Sequence, residues 1–83
     1  MNVVVSPRAA KFLKRLNEPQ KGRIIKALEQ LAKELPEGDI KSLVGRDGYR
    51  LRVGDYRVLF DIIENEIAVH EIEFRGQIYK GRR

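Results

Sequence analysis

The sequence predicts an α+β fold in which a helical hairpin packs on one face of an antiparallel sheet, in the order β-α-α-β-β-β. Three observations carry this prediction. A short β-branched run opens the chain, two stretches with apolar residues at helical spacing follow it, and three runs rich in β-branched and aromatic residues come last, divided by two-residue turn signals. At 83 residues the chain supports a single core, so one domain is expected over residues 1–83. With 42% apolar and 35% charged residues, it has the composition of a globular protein and not of a disordered one.

Asn2-Val3-Val4-Val5 reads as a strand that stops at Ser6-Pro7, where Ser6 can cap a helix whose first position is Pro7. From Pro7 to Leu16 the residues Ala9, Phe12, Leu13 and Leu16 form an apolar stripe, and Asn17-Glu18-Pro19 breaks it. A second helix is expected from about Pro19 to Leu35, with Ile24, Ile25, Leu28, Leu31, Ala32 and Leu35 on one side, ended by Pro36-Glu37-Gly38-Asp39. So short a connection makes the two a hairpin, and their stripes need a partner layer. Tyr49–Val53, Tyr56–Ile63 and Glu66–Phe74 supply it as an antiparallel meander turning at Gly54-Asp55 and Glu64-Asn65. The segment Ile40 to Gly48 reads as a loop. One face of the sheet is left partly open, and an open face is where a ligand can bind.

The chain has no cysteine and one histidine, which removes disulfides, thiol nucleophiles, Cys zinc sites and all-His metal sites; no metal and no cofactor are expected. No apolar run reaches the roughly 18 residues of a membrane span and no signal-peptide pattern is present, so the expected compartment is the cytoplasm. Seventeen basic against twelve acidic residues give a net charge of +5, which favours an anionic partner, nucleic acid being the commonest.

The type of base changes along the chain. Six of the nine bases in residues 1–44 are lysine, whereas seven of the eight in residues 45–83 are arginine. A guanidinium grips phosphate bidentately and stacks on bases, which a lysine point charge does not. Strand alternation puts Arg50 and Arg52 opposite Tyr49, Leu51 and Val53, and puts Arg57 opposite Tyr56, Val58, Phe60 and Ile62. If the apolar sets face the helices, the three arginines share the open face. In the last strand Ala68, His70, Ile72 and Phe74 form one set and Glu71, Glu73 and Arg75 the other, so Arg75 joins the polar face, followed by Tyr79 and Lys80. Two readings of this face stand side by side: a phosphodiester site, or a solvated ladder pairing the arginines with Glu71 and Glu73. By the same alternation His70 reads as a packed structural histidine and not a catalytic one. Glu71 and Glu73 read as ion-pair partners more readily than as general bases. Tyr79 is either a functional phenol or an aromatic plug at the core edge.

The stretch Tyr49-Arg50-Leu51-Arg52-Val53-Gly54-Asp55-Tyr56-Arg57-Val58-Leu59-Phe60, with the later Ile72-Glu73-Phe74-Arg75-Gly76-Gln77-Ile78-Tyr79-Lys80, resembles the RelE/ParE toxin superfamily. The resemblance covers the whole chain and is closest to the short RelE proteins of archaea and some bacteria. It implies a RelE-like, microbial-RNase-like fold and a metal-independent mRNA interferase acting at the ribosomal A site, in which the ribose 2′-hydroxyl attacks the adjacent phosphate. That reaction needs a base, cations for the charged transition state and an acid for the leaving oxygen.

Matched to the family pattern, Arg50 and Arg52 stand for its basic pair on the first meander strand, Arg57 for the arginine after the hairpin, and Arg75 and Tyr79 for its late arginine and tyrosine. The catalytic set implied is Arg52, Arg57, Arg75 and Tyr79, with Arg50, Lys80 and Arg46 binding RNA. Several relatives carry lysine at the positions of Arg50 and Arg52; a permanently charged arginine is no base, so that role falls to Tyr79. Its phenol, ordinarily titrating near pH ~10, is shifted down where arginines favour phenolate. Arg52 and Arg57 then clamp phosphate, Arg50 is a supporting cation, and Arg75 stabilises the transition state and is the candidate proton donor. Phe74-Arg75-Gly76 replaces the His-Arg-Arg of many relatives, removing one candidate acid.

The partners implied are a RelB-like antitoxin, in a heterotetramer for many relatives, together with the ribosome and mRNA, and no membrane. Lys11, Lys14, Lys21 and Lys26 are candidate ribosome contacts through sequence-independent phosphate pairing, or simply solvated helix faces. The competing readings are a ParE-type toxin that inhibits DNA gyrase by binding, and a noncatalytic module whose arginines hold RNA or a partner.

Overall fold

The computed structural model describes residues 1–33, 40–45 and 47–74. In chain order it contains β1 (Asn2–Val5), α1 (Pro7–Arg15), α2 (Gln20–Lys33), β2 (Ile40–Ser42), β3 (Tyr49–Val53), β4 (Tyr56–Ile63) and β5 (Glu66–Phe74). No helix among the described residues is long and apolar enough to cross a membrane.

Helix α1 starts as its sequence dictates. Ser6 is extended, Pro7 occupies the first turn, and the Ser6 hydroxyl accepts from the Ala9 N–H at 3.1 Å, satisfying one of the donors a helix start leaves open. Leu16 ends the helix in an extended conformation, and its N–H reaches the Leu13 carbonyl at 3.1 Å. The link to α2 contains a cis Glu18–Pro19 peptide, and the Glu18 carboxylate accepts from the Gly22 N–H at 2.9 Å. The end expected for α2 at Leu35, with its stop at Pro36–Asp39, lies outside the described residues.

The α+β class and the helix-on-sheet layering are as predicted. Ala9 from α1 and Ile24, Leu28 and Leu31 from α2 bury against Leu51, Val58, Phe60, Ile67, Val69 and Ile72 of the sheet. Phe60 is fully buried and stacks on Tyr49 with ring centroids 5.6 Å apart. Toward the other end Tyr56 meets Phe12 of α1 edge-on at 6.0 Å and Phe74 at 5.2 Å, so an aromatic group closes the core there. Burial of this kind is the main stabilising term in a chain without disulfides.

The sheet differs from the expectation in two respects. Its order is β1-β5-β4-β3-β2, and β1 runs parallel to β5 while the remaining pairs are antiparallel, so the sheet is mixed. Only strands joined by tight turns are obliged to run antiparallel. β1 reaches β5 after the rest of the domain has intervened, and no hairpin constrains its direction. The second difference is β2, in a segment expected to be loop. Ile40 lies opposite Leu51, Lys41 opposite Arg50 and Ser42 opposite Tyr49. The following loop closes with the Leu43 N–H on the Gly48 carbonyl at 3.0 Å.

β3–β4 turns through Gly54 at φ 60°, and β4–β5 through Glu64 and Asn65 at φ 49° and 65°, the two left-handed residues that a type I′ hairpin requires. Between β4 and β5 the register slips: Leu59 faces Glu71, but Phe60 faces Val69. The extra residue is His70, which makes a β-bulge. The carbonyl of His70, displaced from the ladder, accepts from the Ser6 hydroxyl at 2.7 Å, while the Ser6 N–H takes the Val69 carbonyl at 2.9 Å. One serine thus caps α1 and ties down the bulge.

Candidate nucleic-acid interface

The bulge reverses the face on which alternate residues of β5 lie. Ile67 and Val69 are core residues before it, and Ile72 is one after it. His70 is therefore not the packed histidine that simple alternation predicts, nor does it share a face with Ile72 and Phe74. Its side chain is 54% exposed, and Nε2 lies 2.6 Å from Oδ2 of Asp61. This hydrogen-bonded pair sits on the face away from the helices.

That face is organised in rows across the strands, because residues paired in register project to the same side. One row is Arg52, Arg57 and Glu73; the next is Lys41, Arg50, Leu59 and Glu71. Arg50, Arg52 and Arg57 share the open face, as predicted. Lys41 joins them, and sequence reasoning missed it because nothing in three residues of β2 announces a strand until β3 pairs with it. The alternation Ile-Lys-Ser was the one available signal. His70 and Asp61 were missed because a bulge adds a residue without changing local composition.

Within the first row Arg52 and Arg57 stand directly opposite each other, a like-charge pairing that β5 offsets from the other side. Nη2 of Arg57 donates to Oε1 of Glu73 at 2.9 Å, and the two side chains are 32% and 22% exposed. The predicted pairing of the face with carboxylates is thus present for Glu73, whereas Glu71 makes no ion pair among the described residues. Glu73 fixes the orientation of the Arg57 guanidinium. Nε of Arg57 is buried with no hydrogen-bond partner among the described residues, a state that costs about 1–3 kcal/mol for a polar group withdrawn from water.

The remaining predicted residues fall in two groups. Arg75, Tyr79, Lys80 and Arg46 lie outside the described residues. Lys11 and Lys14 on α1 and Lys26 on α2 are exposed and Lys21 is half-buried, but all four belong to the helical layer, which covers the other face of the sheet. The fold separates them from the arginine rows. Among the described residues no group of three or more His, Asp and Glu side chains converges where a metal ion could sit. On its own side chains, then, the open face carries Lys41, Arg50, Arg52 and Arg57 with Glu71 and Glu73 interspersed, a cationic surface suited to a polyanion.

A family model described as the ParE toxin of type II toxin–antitoxin systems matches residues 3–79. Among solved structures, a chain of the archaeal RelE–RelB complex from Pyrococcus horikoshii is similar, with 27% identity over 92% of this chain and 96% of that one, and a TM-score of 0.79. A chain of the RelB–RelE antitoxin–toxin complex from Methanococcus jannaschii has 26% identity over 96% and 99%, with a TM-score of 0.76. The isolated RelE toxin of E. coli shares the fold at 19% identity, over 98% and 93%, with a TM-score of 0.73. A search of curated proteins returns no match.

Proposed function

Because the chain belongs to the ParE toxin family, within the RelE/ParE superfamily, we propose that it is the toxin of a type II toxin–antitoxin pair and cleaves mRNA in the ribosomal A site. The observation that carries this reading is the convergence of Arg50, Arg52 and Arg57 on one open sheet face, with Arg57 oriented by Glu73. Phosphate clamps need fixed guanidinium groups, and the Arg57 guanidinium held by Glu73 supports that reading.

In the proposed reaction the ribose 2′-oxygen forms a bond to the neighbouring phosphorus as its proton passes to Tyr79. The phosphorus–5′-oxygen bond breaks as Arg75, hydrogen-bonded to the leaving oxygen, stabilises the charge building there, and that oxygen takes up a proton from solvent to replace the one passed to Tyr79. The products are a 2′,3′-cyclic phosphate and a 5′-hydroxyl, with no water consumed. Arg52 and Arg57 hold the phosphate oxygens as charge builds, Arg50 supports them, and Lys80 and Arg46 bind the flanking RNA. Lys11, Lys14, Lys21 and Lys26 contact ribosomal phosphates from the helical layer. The whole chain works as one domain, in the cytoplasm. A RelB-like antitoxin neutralises it, in a heterotetramer, by covering the arginine face.

The test is primer-extension mapping of an mRNA in a translating extract. Discrete cuts at A-site codons are expected, lost in Arg75→Ala, weakened in Tyr79→Phe, and reduced by about 10²–10³-fold in Arg57→Ala, as for removal of one transition-state donor. Wild-type cleavage by Tyr79→Phe would remove the base assignment alone. The match to a ParE model favours a second reading, inhibition of DNA gyrase by binding. Intact mRNA together with failed gyrase supercoiling would put that reading in place of the first. Intact mRNA that is nonetheless bound would leave a noncatalytic RNA-binding module.

A further inference from the structure

At the Leu59 end of the second row the open face changes character. Leu59 is only 6% exposed although it lies on the charged side of the sheet, and it floors a pocket of about 170 Å³ with Leu43, Asp47, Phe60, His70 and Glu71 around it. The bulge stands His70 at the wall of this pocket, and Asp61 occupies its Nε2 at 2.6 Å, so the ring is held while the side chain stays 54% exposed. Gly48 lets the loop that carries Asp47 approach closely: a Cβ there would lie 2.8 Å from Oδ1 of Asp61. A solvated surface pair accounts for the His70–Asp61 contact, but not for an apolar floor and an aromatic wall in the middle of a charged face.

An apolar floor beside a fixed aromatic ring is how proteins receive the flat face of an unstacked base. The polar rim decides which base. Ionised Glu71 and Asp47 offer acceptors only. Cytosine and adenine present an exocyclic amino donor, and guanine an amino group beside a ring N–H, whereas uracil has no amino group and flanks its single ring N–H with two carbonyl oxygens that the carboxylates repel. Leu59 is two residues from Arg57 along β4, a rise of about 7 Å, so base and phosphate sites are within reach of one short stretch of single strand.

We infer that this pocket is a subsite for one nucleobase bearing an exocyclic amino group, walled by His70 and read by Glu71, beside the phosphate site of Arg52 and Arg57. The inference rests on the RNA reading proposed above and adds base selectivity to it. The same chemistry would hold a free nucleotide, so the test separates the two sources.

The chain contains one histidine, so the imidazole signals in a ¹⁵N-correlated NMR spectrum report on His70 alone. Full-length protein is titrated with CMP and UMP, and then with 2′-O-methyl octamers of cytidine and uridine, which lack the attacking hydroxyl. CMP should move the ring signals at concentrations about tenfold below those UMP needs, and the cytidine octamer should show the same preference. Glu71→Gln should bring the two bases within about twofold, because an amide both donates and accepts; its backbone spectrum verifies folding. Equal titration by CMP and UMP, or a preference that survives Glu71→Gln, overturns the subsite. Octamers that bind equally without moving the His70 ring also overturn it and leave the RNA reading standing. Discrimination among mononucleotides with no binding of either octamer overturns the RNA assignment and leaves a free-nucleotide pocket.

Discussion

Replacing Ser6 by alanine removes two bonds that hold different parts of the fold. The hydroxyl accepts from the Ala9 N–H at 3.1 Å and donates to the His70 carbonyl at 2.7 Å. Loss of an N-cap acceptor costs about 1 kcal/mol, and loss of a solvent-accessible bond to a carbonyl about 0.5 kcal/mol. The sum of roughly 1.5 kcal/mol corresponds to a fall in Tm of roughly 6–12 °C for a domain of this size. Far-UV circular dichroism melts of three variants separate the contributions. Ser6→Thr keeps both bonds and should melt within about 2 °C of the parent, since a threonine hydroxyl has the same donor and acceptor capacity. Ser6→Asp keeps the cap and suits the helix start, but it has no proton for the His70 carbonyl and should fall between threonine and alanine. Amide exchange should accelerate at Ala9 in Ser6→Ala alone, and around Glu71 in both Ser6→Ala and Ser6→Asp. A Ser6→Ala melt indistinguishable from the parent refutes the double role, and a Ser6→Asp melt equal to the parent refutes the tie to the bulge.

Three further outcomes follow from the packing. Phe60→Ala empties a fully buried ring site and should cost about 3–5 kcal/mol in urea unfolding, against about 1 kcal/mol for Phe60→Leu; equal losses would contradict the burial of that ring. Gly48→Ala places a side chain at φ 113°, where its Cβ would also lie 3.3 Å from the Phe60 carbonyl oxygen, so a loss of about 1–3 kcal/mol is expected and an unchanged melt would count against the loop's closeness to β4. A double-mutant cycle over Arg57→Ala and Glu73→Ala should give a coupling of about 1 kcal/mol or less, since both side chains keep contact with water; a value above ~2 kcal/mol would mean a drier pair than the structure shows.

How far the sequence revealed the structure depends on whether a feature is written locally. Ser6-Pro7 carries its own capping chemistry, and Tyr49–Val53, Tyr56–Ile63 and Glu66–Phe74 carry both alternation and flanking turns, so each appears where it was read. β2 is three residues long and becomes a strand through the partner that β3 offers, which no window of sequence contains. The parallel pairing of β1 is likewise a long-range fact. His70 shows the same limit in the candidate site. Alternation placed Arg50, Arg52 and Arg57 on one face correctly, because β3 and β4 pair there without interruption. In β5 one inserted residue inverts everything beyond it relative to what precedes it, so a histidine read as core stands in the open against Asp61. Lys41 and Leu59 acquire their place in the site only once those registers are known.

The lengths of the strands set a limit on how this molecule can be gripped. Among the described residues, the eight- and nine-residue strands β4 and β5 lie inside the sheet, and its margins are β1 with four residues and β2 with three. Among the described residues, a chain that adds itself to a margin, whether a second copy or a foreign segment, finds main-chain groups for a ladder of three or four residues. So short a seam discourages runaway stacking of copies. It also offers little to a binder that works by extending the sheet. A binder designed against the described surface is therefore better aimed at the side chains of its broad faces than at these short margins.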